Sequence, residues 1–91
     1  MNAMMIDKKD NVAVAIEPIT KGETVEYKKE DAVCSLTAAE DITIYHKLAA
    51  VDIKKGEPVV KYGEHIGIAA VDIPAGSHVH THNVENHREA L

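Results

Sequence analysis

The sequence predicts a mostly β, compact domain of short strands and tight glycine turns, with little helix. Two observations carry this. The pattern I-x-x-G-x-x-V occurs at ITKGETV (19–25), IKKGEPV (53–59) and IPAGSHV (73–79), with short apolar, β-prone stretches on either side. Helical periodicity is thin along the 91 residues.

Each element follows from the pattern. An alanine stands four positions before each of these isoleucines, at Ala15, Ala49 and Ala69, within an apolar run that reads as an incoming strand. The two residues after the isoleucine suit a type I turn, and Pro74 fits its fixed φ. Gly22, Gly56 and Gly76 then supply a left-handed residue without steric penalty. The chain re-enters a strand near Val25, Val59 or Val79, so each unit reads as strand, tight turn, strand. A weaker fourth copy is ITIYHKL (42–48). There Tyr45 replaces the glycine, and a different turn is expected because a β-carbon disfavours positive φ. A further turn is expected around Gly63 and Glu64, with His65 on its surface and Tyr62 half-buried. Thr37 and Glu40 have capping-box spacing and predict one short helical turn. Residues 84–91 form a tail, read with Asn83 as a short capped helix or a frayed end. The irregular repeat spacing excludes a solenoid. Residues 1–91 therefore form a single domain, with the motifs between about residues 10 and 83.

Composition narrows the function classes. The formal net charge is −5, which disfavours a nucleic-acid binder that needs a basic face. The single cysteine, Cys34, allows no internal disulfide and fits a reducing compartment. No apolar run reaches membrane-spanning length, so no membrane partner is expected and the protein is placed in the cytoplasm. With 3 tyrosines and no Phe or Trp, the core falls to Val, Ile, Leu and many alanines. Alanine buries little area, so a partner is expected to add stability, through self-association or docking on a larger chain.

Histidine is the unusual feature. Of 6 in the chain, His78, His80 and His82 alternate within SHVHTHN (77–83). On a strand they share one face, opposite Val79 and Thr81. Neighbours in this row have Cα atoms roughly 6.7 Å apart, close enough for a pair of rings to hold one divalent metal. The outer pair, roughly 13 Å apart on a straight strand, is too far to share it easily. A ligand from elsewhere, such as His46, Cys34 or a partner chain, would complete such a site. Two other readings stay open: imidazoles and nearby lysines holding a substrate carboxylate or hydroxyl, and a merely polar face. His46 and Lys47 open a strand and read equally well as a solvated pair. Glu17, Glu23 and Glu57 read as solvated turn residues, and His87 as an uninvolved tail residue. No nucleophile elbow, phosphate loop or dinucleotide fingerprint is present.

The segments DNVAVA (10–15), HKLA (46–49), DIKKGEPVVKYGEHIG (52–67) and DIPAGSHVHTHN (72–83) resemble the small amino-terminal domain of the altronate and galactarate dehydratase family. That domain is a SAF module, so the resemblance implies a SAF-type β-clip fold. The sequence departs from the family at Tyr45, where a glycine is usual. The resemblance implies a lyase: the small subunit of a sugar-acid hydro-lyase, inactive without a separate large catalytic subunit. Its alternatives are the small subunit of a sulfolactate sulfo-lyase and a non-catalytic SAF ligand-binding module. It further implies a small-molecule sugar-acid substrate and a divalent metal, with iron(II) the first choice, and leaves a homo-oligomer open. Carried over by motif position, His80 and His46 are the candidate catalytic residues. His80, His82 and His78 are the candidate metal ligands. Lys47, Lys61 and Asn83 are the candidate substrate-binding residues.

Overall fold

The computed structural model describes residues 1–85, so the tail reading and His87 lie largely outside the described residues. Its nine strands among those residues are β1 (Ala3–Met4), β2 (Val12–Ala15), β3 (Thr24–Lys29), β4 (Ala32–Thr37), β5 (Lys47–Ala49), β6 (Pro58–Lys61), β7 (Glu64–Ala69), β8 (His78–Val79) and β9 (Val84–Glu85). They form a four-stranded sheet in the order β1-β2-β5-β8, a β3-β4 hairpin and a three-stranded sheet β6-β7-β9. All pairings are antiparallel. The fold is thus mostly β, as the sequence predicts. No helix forms among the described residues. Thr37 instead ends β4, and Glu40 lies in a bend, because backbone bonds to neighbouring turns tie this loop down.

The four-stranded sheet lies between two apolar clusters. Ala13, Ala15 and Leu48 face one, with Ile19, Val25 and Ile42. Val12, Ala49 and Val79 face the other, with Ile53, Val59 and Ile73. Both faces are covered, which explains why VAVA is apolar throughout and does not alternate with polar residues.

The repeated turns differ from their sequence reading in two ways. They are not hairpins: each carries the chain from one sheet to another, since β2 and β3, β5 and β6, and β7 and β8 do not pair. Nor are they type I. The bond closing each turn runs from Glu23 N–H to Thr20, from Glu57 N–H to Lys54 and from Ser77 N–H to Pro74. The third turn residue has positive φ, at 90° for Gly22, 89° for Gly56 and 88° for Gly76. That is the type II signature. The fourth copy makes the same turn, with His46 N–H bonded to Thr43 C=O and Tyr45 at φ 67°. Tertiary bonding overrides the tyrosine's preference: the Tyr45 amide donates to Ala15 C=O at 2.7 Å, while the ring stays exposed.

That bond belongs to a scheme that pairs the units two by two. The Gly22 amide bonds Ala38 C=O and the Tyr45 amide bonds Ala15 C=O. Likewise Gly56 bonds Ala69, and Gly76 bonds Ala49. The isoleucines meet in the same pairs, as the antiparallel bridges Ile19–Ile42 and Ile53–Ile73. Ala38 is therefore the fourth alanine of the pattern, four positions before Ile42. Aspartates lock the pairs: Asp72 accepts from Lys55 N–H, Asp52 from Ala75 N–H and Asp41 from Lys21 N–H.

The hairpin between β6 and β7 turns on Tyr62 and Gly63, both at positive φ, and not on Gly63 and Glu64. Tyr62 is exposed and His65 lies on β7 as an exposed strand residue. The sequence places Tyr62 half-buried, but a ring at a hairpin tip projects away from both apolar clusters and stays exposed.

Candidate functional site

β5 and β8 build the site. Their register sets Lys47 opposite Val79 and Leu48 opposite His78. Side chains alternate, so His46, Leu48, His78 and His80 fall on the face away from Val79. Leu48 is buried beneath, and His46, His78 and His80 lie half-buried. The imidazoles therefore do share one side of the sheet.

They gather more tightly than a straight strand allows. The strand ends at Val79, and a turn at residues 81–83 folds the chain back. His78 and His82 rings come within 5.3 Å between centroids, so the straight-strand separation does not apply. His46 stacks on His80 at 4.4 Å and on His78 at 5.0 Å. His46 Nδ1 lies 2.8 Å from His78 Nε2.

Asn83 shapes this turn. Its Oδ1 accepts from the His80 amide at 3.0 Å, and its Nδ2 donates to His78 C=O at 2.8 Å. The residue is buried and its amide is committed to backbone. Its place is thus beneath the histidine turn, where it sets the direction of the rings. β9 follows at Val84, in place of a helix capped by Asn83.

The other candidates divide. Lys47 is buried beside the cluster on β5, not solvated. Lys61 lies at the end of β6, with Nζ 4.6 Å above the Tyr62 ring, so the fold places it on a different sheet from the histidines. Cys34 is half-buried on β4, away from β5 and β8 in the sheet order. Glu40 is the residue that sequence reasoning missed. It reads as a helix-capping acid, yet one of its carboxylate oxygens lies within 4.8 Å of ligand atoms of both His78 and His82. Only the pairing of remote turns brings it there.

Two properties define the chemistry. The ligand nitrogens of His46, His78 and His80 all lie within 4.8 Å of one another. His80 Nδ1 is buried and has no hydrogen-bond partner. A buried polar atom without a partner is uncommon and calls for an explanation. Burial, then the neighbouring His46, holds His78 and His80 below the ordinary imidazole value of 6.5. His82 acts in the same sense on both, Lys47 further lowers His80, and the Glu40 carboxylate opposes the shift at His78. The rings are thus neutral donors near pH 7, the form that binds metal.

The same shifts should make the metal-free chain less stable in acid. The unfolded chain takes up protons near 6.5, before the folded chain does. The contribution to stability is therefore full above 6.5 and is lost as pH falls toward the depressed folded values. Urea midpoints should drop between pH 7.5 and pH 5.5, and His78→Gln with His80→Gln should flatten that dependence. An unchanged slope in the double variant would refute the assignment.

A family model for the altronate/galactarate dehydratase SAF domain matches residues 1–87. Altronate dehydratase of Escherichia coli (strain K12) is 40% identical over 91 residues, 100% of this chain and 18% of that protein. Altronate dehydratase of Bacillus subtilis (strain 168) is 40% identical over 80 residues, 88% of this chain and 15% of that protein. The chain thus spans less than a fifth of the length of these relatives. The (2R)-sulfolactate sulfo-lyase subunit alpha of Paracoccus pantotrophus is 49% identical over 53 residues, 58% of this chain and 79% of that protein. No helix among the described residues is long and apolar enough to cross a membrane. Matched along nearly its whole length, the chain belongs to the altronate/galactarate dehydratase SAF domain family.

Proposed function

We propose that this chain is the SAF part of a sugar-acid hydro-lyase and acts with a separate large catalytic subunit. The observation that carries the reading is the trio His46, His78 and His80, with its unpartnered buried nitrogen, in a family of dehydratases. The relative whose printed name is "subunit alpha", of which 79% aligns, supports a separate polypeptide.

The trio fits a divalent cation, iron(II) first. Burial holds His78 and His80 below the ordinary imidazole value, and the 2.8 Å between His46 Nδ1 and His78 Nε2 is close to the roughly 3 Å that separates adjacent nitrogens around a first-row ion. A cation there supplies Lewis acidity that stabilises the charge developed when a proton beside a carboxylate is removed. The chain's own residues do the rest. His46, His78 and His80 would hold the ion through stacked rings. Coordinated, His80 has no lone pair free for a proton; where His46 and His78 alone hold the ion, His80, kept below the ordinary imidazole value by burial, would accept the proton as general base. Lys47, buried beside it, favours substrate carboxylate by charge. Asn83 keeps the rings aimed.

A second reading is a sulfo-lyase, in which sulfite leaves instead of water. The 49% identity to a sulfolactate sulfo-lyase subunit favours it. One experiment addresses both. Tagged chain is used to capture a partner from its native host, and the complex is assayed with altronate, galactarate and sulfolactate. Dehydration of a sugar acid is expected, with His80→Ala lowering turnover at least about 100-fold while the circular dichroism spectrum is unchanged. Activity that survives His80→Ala, or a complex inactive on all of these, overturns the catalytic reading in favour of a binding module.

A further inference from the structure

We infer that Glu40, His78 and His82 form an outer cation position, distinct from the inner trio, for a carboxylate-preferring divalent ion such as Mn²⁺. Ligand atoms of the three residues all lie within 4.8 Å of one another. Among the described residues, however, no hydrogen bond or ion pair joins Glu40 to either ring. The atoms converge without bonding. Oxygen and nitrogen ligands around an ion at about 2.1 Å sit roughly 3–4 Å apart, so a small rotation of the exposed Glu40 and His82 side chains would close these atoms, now within 4.8 Å, onto an ion. The inner trio differs here, because His46 and His78 already touch.

Glu40 is held for the purpose by both neighbours. The Ala39 amide donates to Gly76 C=O at 3.0 Å, and Asp41 accepts from the Lys21 amide at 2.8 Å. The backbone is fixed while the carboxylate reaches solvent. His82 is exposed as well, so the position is open to an ion that keeps several waters. Ligand chemistry separates the two positions. Three half-buried imidazoles suit iron(II) or zinc, whereas a carboxylate with water access suits manganese or magnesium. His78 belongs to both sets, which couples the positions through one ring.

This position stands on its own geometry, whether or not the lyase reading holds. The test is a Mn²⁺ titration of the full chain followed by electron paramagnetic resonance. Wild type should bind Mn²⁺. Glu40→Gln and His82→Ala should each weaken binding by about 10-fold or more. Glu64→Gln, an exposed carboxylate on β7 in a different sheet, should leave it within about twofold. Absence of Mn²⁺ binding by wild type, wild-type affinity in Glu40→Gln, or equal losses in Glu64→Gln and Glu40→Gln would overturn it. A complex inactive on every sugar acid, with the Mn²⁺ pattern intact, would sink the lyase reading and leave this one standing.

Discussion

Gly76→Ala should destabilise the domain severely, while Gly22→Ala should be mild. Both residues have φ near 90°, at 88° and 90° respectively, so both replacements strain the backbone alike. Strain of this kind costs about 1–2 kcal/mol. The surroundings then separate them. A β-carbon at Gly22 meets nothing within 4 Å. At Gly76 it would stand 2.3 Å from the Thr37 carbonyl oxygen and 3.0 Å from the Ala39 nitrogen. These are backbone atoms in a loop tied to Gly76 itself, so no side chain can swing aside. Displacing that loop adds roughly 2–3 kcal/mol, and a domain of this size has only about 5–14 kcal/mol to lose. Urea denaturation of both variants should show Gly76→Ala weaker than Gly22→Ala by at least about 2 kcal/mol. Equal midpoints would mean that the approach of the two loops is not tight in solution.

Asn83→Ala should damage stability and site together. The side chain satisfies the His80 amide and the His78 carbonyl at once. Deleting it leaves two backbone groups without partners in a part-buried turn, at a cost of about 2–4 kcal/mol. The turn that returns His80 and His82 toward His46 then keeps the backbone bond from the Asn83 amide to His80 C=O but loses both side-chain ties. Co²⁺ titration should show affinity reduced by about 10-fold or more, as for other residues that orient ligands. Asn83→Asp keeps the acceptor for the His80 amide and loses the donor to His78, so it should fall between. A variant with wild-type stability and Co²⁺ affinity would remove Asn83 from the site.

These two positions mark what the sequence makes legible and what it hides. The β class, the glycine turns and the shared histidine face follow from local rules: a residue type with a φ preference, and a period of two along a strand. The hidden features depend on partners distant in sequence. Ala15 lies thirty residues from Tyr45, yet its carbonyl is what holds that tyrosine at positive φ. Glu40 reads as a helix cap because Thr37 stands three residues before it, and nothing local reveals that Gly76 holds the loop elsewhere. A straight strand sets His78 and His82 far apart, and the turn that brings them together is closed by a buried asparagine. The family resemblance makes Asn83 a substrate-binding candidate by motif position, and nothing local reveals that its side chain bonds the His80 amide and the His78 carbonyl.

The residue that closes each turn differs among the four units: Glu23, His46, Glu57 and Ser77. Glu23 and Glu57 bend back to accept from Thr20 and Lys54, spending their side chains on their own loops. His46 does not, and its ring is free to meet His78. The backbone bonds that unite the units never call on these side chains, so the architecture tolerates a wide choice there. A lineage could acquire or discard chemistry at such a place by exchanging one or two residues, with no change to the way the polypeptide folds.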